Sequence, residues 1–96
     1  MPQVMLMRPV RFLPGKVKEG IEWTRAVEPI RRHWGMRSQT VARGIVDTSS
    51  YLLIQVWESQ EAYNRWKASE DRARLVVESR RFCVYDPSVP YEIIEP

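Results

Sequence analysis

The stretch from Tyr51 to Ser69, YLLIQVWESQEAYNRWKAS, constrains the fold more than any other part of the chain. It opens on a run of strand-forming residues, Tyr51-Leu52-Leu53-Ile54, and after Gln55 continues with Val56 and Trp57. A run of that length and type predicts a strand covered on both faces. Ser59 then breaks it. Serine is a favoured helix N-cap, Glu61 puts a carboxylate at the positive end of the helix dipole, and Tyr63 and Trp66 follow at helical spacing. The segment reads as a buried strand that ends on an aromatic, turns on a capping serine and enters a short amphipathic helix.

The flanking sequence extends this unit in both directions. Val4 to Phe12 reads as a first strand, with Val4, Leu6, Arg8, Val10 and Phe12 on one face and Met5, Met7, Pro9 and Arg11 on the other. Pro9 cannot donate to a ladder, so it is expected at a bulge or opposite an unpaired stretch. A helix is predicted over residues 16–34, with Trp23, Val27, Ile30 and Trp34 as an apolar stripe and a kink near Glu28 imposed by Pro29. Gly35 ends it. A second strand is predicted from Met36 to Asp47, then a loop over Asp47 to Ser50. Ser69 reads as another N-cap, starting a helix to about Glu78. Phe82 to Tyr85 and Tyr91 to Ile94 read as one broken strand or two short ones around Asp86 to Pro90. The order β-α-β-β-α-β is the ferredoxin-like α+β plan: an antiparallel sheet with both helices on one face.

Ninety-six residues are expected to form a single domain over positions 1–96. A chain of this size buries only about two-thirds of its unfolded surface. Four Trp and four Tyr are more aromatic bulk than such a monomer hides easily, and strands one and three are apolar on both faces, so a homodimer is expected. Fifteen Lys and Arg against twelve Asp and Glu leave a net charge of +3, spread along the chain with acids close by. Nucleic-acid binding is therefore not expected. No apolar run reaches membrane-spanning length, the start of the chain lacks a secretory pattern, and Cys83 has no second cysteine to pair with. The expected partners are a small-molecule ligand and a second copy, without membrane or nucleic acid, in the cytoplasm.

The pattern Trp57-Glu58-Ser59-x-Glu61-Ala62-Tyr63-x-x-Trp66-x-x-Ser69 resembles the antibiotic-biosynthesis-monooxygenase-like proteins of the dimeric α/β-barrel superfamily. The resemblance implies that two sheets pack face to face, that the last strand reaches toward the partner, and that an aromatic-lined cavity lies between helices and sheet. Trp57, Tyr63 and Trp66 would line it. In the cofactor-independent oxygenases of this family the functional set is an Asn on strand three, the strand-end Trp, the helix Tyr and an Arg on the later helix. Trp57 and Tyr63 match. The Asn position reads Leu53 and the Arg position falls near Val76, leaving Arg72 or Arg74, a turn away, for that role. In the haem-degrading members an Asn on strand one, a helix Trp and a His ten residues later are needed. Trp66 matches the Trp, but the His position is again Val76 and the Asn position is Met7 or Arg8. Without an axial ligand there haem is not expected, and the expected cofactor set is none.

The other chemistry-bearing residues give bland readings. His33 follows Arg31-Arg32 at a helix end, where cations suit the dipole, and Cys83 sits in an apolar strand pattern. No metal-ligand spacing, nucleophile triad or phosphate loop is present, so no metal site is expected. Arg8 has two readings. It either meets an acid such as Glu92 at the sheet edge, or it faces the cavity and orients an anionic ligand. The functional expectation is a small-molecule-binding homodimer that acts as a cofactor-independent monooxygenase of phenolic or quinone-like substrates. Its candidate catalytic residues are Trp57, Tyr63, Arg72 and Arg74, and its candidate ligand contacts are Arg8, Trp57, Tyr63 and Trp66. The alternative is a non-catalytic ligand-binding or structural dimer of the same fold, suggested by the apolar Leu53 and Val76.

Overall fold

The computed structural model describes residues 2–96. Strand β1 (Val4–Phe12) runs into the helices α1 (Val17–Ala26) and α2 (Glu28–His33), and then come β2 (Met36–Arg43) and β3 (Tyr51–Trp57). After β3 the helices α3 (Gln60–Lys67) and α4 (Glu70–Ser79) precede the short strands β4 (Cys83–Tyr85) and β5 (Val89–Glu92). The sheet order is β2-β3-β1-β4, with β5 also paired to β1, and every pairing is antiparallel. This is the ferredoxin-like arrangement expected from the sequence.

Local chemistry explains the boundaries. The long first helix divides at Val27, because Pro29 at the start of α2 supplies no N–H to continue the ladder. Ser59 Oγ accepts from the Ala62 N–H and Ser69 Oγ accepts from the Arg72 N–H, each at 3.1 Å, so both serines cap as read. Gly35 adopts φ +111° to turn α2 into β2, and a side chain there would press on Ala62 and Glu58.

The second strand is shorter than expected. It ends at Arg43, because the chain folds back at Gly44 and brings the Asp47 carbonyl where a Cβ would otherwise stand. Ser49 closes the turn by donating its N–H and hydroxyl to Asp47 Oδ1, which holds that carboxyl below its usual range. Ile45 and Val46 are left in solvent at the tip. The last strand also differs: β5 starts two residues earlier than read, since Pro90 is tolerated on an edge strand. Pro9 sits opposite the gap between β4, which pairs with Val10 to Phe12, and β5, which pairs with Val4 to Met7.

The two sheet faces have different fates. Val4, Leu6, Val10, Leu53 and Trp57 are buried under the helices. On the other face Met5 and Met7 of β1 stand in register with Val56 and Ile54 of β3 and with Tyr91 and Val89 of β5. No element of the chain covers that face among the described residues, and Val84, Val89 and Tyr91 are about half exposed at its edge.

Candidate functional site

A cavity of about 40 Å³ lies between the buried sheet face and the helices α3 and α4. Arg8 and Leu53 reach it from neighbouring strands, being directly paired across β1 and β3. Tyr63 and Trp66 come from α3, Arg72 and Val76 from α4, Arg31 from α2 and Tyr85 from β4. An outer basin of about 490 Å³ adjoins the inner space, and Arg8, Arg72, Val76 and Tyr85 are common to both.

The Arg8 side chain faces the cavity and not an acid at the sheet edge. Its Nη2 donates to the Tyr63 hydroxyl at 3.2 Å, and its guanidinium lies over the Tyr85 ring at 5.5 Å. Glu92 instead stands in register with Val4, and no carboxylate pairs with Arg8 among the described residues. The Tyr63 hydroxyl also lies 3.4 Å from Ser88 Oγ.

Trp57 departs from expectation. It is completely buried and does not reach the cavity wall. Its ring packs against Trp66 and Tyr63, with centroids 5.8 and 5.3 Å away, and its Nε1–H donates to Gln55 Oε1 at 3.1 Å. Gln55 is on the wall, and its Nε2 donates to Gln39 Oε1, which also accepts from Arg31 Nη1 at 2.8 Å. Gln39 Nε2 closes the relay on the Thr24 carbonyl. Trp57 therefore fixes the Gln55 amide from behind rather than meeting a ligand. The strand-end position puts its side chain under the helices, and Tyr63 and Trp66, which pack against it, line the cavity in its place.

Arg74 also falls outside the site. It projects into solvent and pairs with Asp71 at 3.4 Å, because it sits two residues from Arg72 and so on another side of α4. Tyr63, Trp66, Arg72 and Arg8 are brought together; Trp57 and Arg74 are not. His33 is exposed at the end of α2, away from the wall, and no group of three or more His, Cys, Asp or Glu is placed to hold a metal among the described residues.

Three polar wall residues were not picked out by sequence reasoning, Gln55, Arg31 and Tyr85, and neither was the apolar Leu75. Gln55 had a signal, as the polar interruption of an otherwise apolar strand. Arg31 had one too, since it follows Trp23 and Val27 at intervals of eight and four residues along the apolar stripe. It is only 6% exposed, and its guanidinium lies 5.8 Å over the Trp23 ring. Burial lowers its pKa, with Tyr85 opposing that shift and the nearby Arg8 charge adding to it. Burial pushes the Tyr85 phenol up, with Cys83 adding and Arg31 opposing, so Tyr85 stays protonated at neutral pH. Its buried hydroxyl makes no well-formed hydrogen bond among the described residues, although Arg31 and Cys83 stand close to it. Burial likewise raises the Cys83 thiol, which leaves it a poor nucleophile.

Such a wall can bind and polarise an anion. It has donors from guanidinium, phenol and amide groups, and aromatic surface for a ring.

Comparison with known proteins gives the same fold. SnoaB from Streptomyces nogalater, a cofactor-independent oxygenase, superposes with a TM-score of 0.75 at 16% identity, covering 100% of this chain and 97% of its own. A Chloroflexus aurantiacus protein proposed to be an antibiotic biosynthesis monooxygenase gives 0.76 at 17% identity, with 98% and 95% covered. A conserved protein from Methanosarcina mazei gives 0.75 at 12% identity, with 96% and 93% covered. No curated protein matches by sequence. The profile of the antibiotic biosynthesis monooxygenase family matches residues 4–77, most of the chain, and the chain belongs to that family.

Proposed function

We propose that the chain is a homodimeric, single-domain small-molecule protein with one ligand cavity per subunit, acting as a cofactor-independent monooxygenase on phenolic or quinone-like substrates. The observation that carries this reading is the Arg8–Tyr63 hydrogen bond on the wall of a cavity with aromatic sides. A guanidinium and a phenol held together offer two donors to one substrate oxygen and favour its anionic form. Family membership and the fold shared with an oxygenase support it.

The substrate phenol loses its proton to solvent, and the phenolate is held by Arg8 and Tyr63. It passes one electron to molecular oxygen, and the resulting radical pair combines to form a carbon–oxygen bond at a ring carbon. The peroxide takes up a proton, then loses water as its O–O bond breaks and the proton on that ring carbon leaves. One oxygen atom stays as the quinone carbonyl and the other departs as water. The protein's part is to orient the ring and stabilise the anion.

The apolar sheet face opposite the helices is the surface that a second copy would cover. The competing reading is a binding or structural dimer without chemistry, favoured by Leu53 and Val76 on the cavity wall. Oxygen-electrode measurements with a panel of hydroquinones separate the two. Saturable, enzyme-dependent oxygen uptake is expected, with one oxygen atom built into the ring to give a hydroxyquinone and the other released as water. Binding across the panel with no oxygen consumed would favour the non-catalytic reading.

A further inference from the structure

Arg8, Arg31 and Arg72 all line the inner cavity, and no carboxylate does. None of the three takes part in an ion pair among the described residues, and unlike the other unpaired arginines, Arg25, Arg43, Arg65, Arg80 and Arg81, none of them is exposed. The carboxylate on the outer basin, Asp86, is held by Arg11 at 3.1 Å. Arg31 is the strongest anomaly. A buried guanidinium normally meets an acid, because an uncompensated buried charge is costly. Here its guanidinium donates instead to the neutral amide of Gln39. The buried Tyr85 hydroxyl on the same wall stands close to Arg31 and Cys83 but makes no well-formed hydrogen bond to either, so its proton is free for a ligand. Three cations and an orphaned donor around one small space describe a site that lacks its anion.

Size divides the two compartments. About 40 Å³ has room for a few water-sized groups, the scale of a carboxylate, and is far too small for a ring. The outer basin of about 490 Å³, flanked by Val76 and Pro87, has room for one. A phenolate alone would offset one of the three positive charges.

We propose that the inner cavity is a carboxylate subsite: Arg31 and Arg72 hold a carboxylate carried on the ligand's ring, Tyr85 donates to it, Arg8 and Tyr63 keep the phenolate oxygen beside it, and the ring occupies the outer basin. The ligand class is thus a hydroxylated aromatic acid rather than a neutral phenol. This assignment deepens the reading of the cavity as the ligand site, but it does not need the oxygenase chemistry.

Titration calorimetry of the full chain with 1-hydroxy-2-naphthoate, 1-naphthol and 1-naphthyl phosphate tests it at low and moderate ionic strength. The hydroxynaphthoate is expected to bind at least about tenfold tighter than 1-naphthol, the gain of charge-assisted hydrogen bonds to one carboxylate. Arg31→Met should erase that preference while 1-naphthol still binds. Because Arg31 is buried, Arg72→Gln serves as a second variant, and it should reduce the preference by about tenfold in a chain whose melting temperature is unchanged. Equal affinity for acid and naphthol, or a preference that survives both substitutions, would overturn the subsite. Tighter binding of naphthyl phosphate than of the acid would overturn the carboxylate assignment. Carboxylate-selective binding without oxygen uptake would sink the oxygenase reading and leave the subsite standing; oxygen uptake without carboxylate preference would do the reverse.

Discussion

Replacing Trp57 with alanine is expected to destabilise the fold by about 4 kcal/mol, the cost of emptying a fully buried indole site. The ring fills the junction of Tyr63 and Trp66, so its removal opens a void in the main apolar core. It also strips Gln55 Oε1 of the donor that fixes it. In a domain of this length that loss lowers the melting temperature by roughly 15–30 °C. Thermal and urea unfolding at a fixed protomer concentration measure it. A loss below about 1 kcal/mol would mean that the indole is not the packing centre described. Trp57→Phe separates the two contributions, since it retains most of the apolar bulk and removes the Nε1 donor.

Substituting glutamate for Ile54 should turn a dimer into a monomer at micromolar concentration. Ile54 lies in register with Met7 of β1 and Thr40 of β2, on the face that no helix covers. If two copies meet through this face, each brings one carboxylate into an apolar contact, and symmetry doubles the cost. The dissociation constant is expected to rise about a thousandfold or more. Sedimentation equilibrium reads the outcome directly. Wild type should weigh twice the 11.4 kDa chain, and Ile54→Glu should weigh one chain with its circular dichroism spectrum unchanged. A monomeric wild type would remove the dimer from the account.

The fold was largely legible because its signals are local. The two serine caps, Pro29 inside the first helix and the apolar run of β3 each act within a few residues. Where local pattern misled, a close approach was responsible. The pattern carried β2 through Ile45 and Val46, yet the backbone turns at Gly44 because the Asp47 carbonyl comes back against it. The site was legible only in part. Tyr63, Trp66, Arg72 and Arg8 could be named because a motif or an out-of-place charge marks them. Trp57 matches the motif equally well, but the depth of a side chain depends on what packs in front of it, which no spacing encodes. Arg31 was taken for a cation at a helix end, although its distance from Trp23 already put it on the buried stripe. Tyr85 needs the pairing of β4 with β1, a contact across most of the chain, before it stands beside Arg8.

The central claim is that Arg8 and Tyr63 hold a substrate anion while it reduces oxygen. Steady-state oxygen uptake by wild type, Arg8→Gln and Arg65→Gln tests it, using whichever hydroquinone of the panel turns over fastest. Arg65 is an exposed cation on α3, outside the cavity. Loss of the Arg8 charge should cut kcat/KM by about a hundredfold, as removal of a buried oxyanion donor does, and most of the loss should appear in kcat. Arg65→Gln should stay within about twofold of wild type, as expected of a surface change. Equal rates in Arg8→Gln and wild type, or equal losses in both variants, would contradict the account.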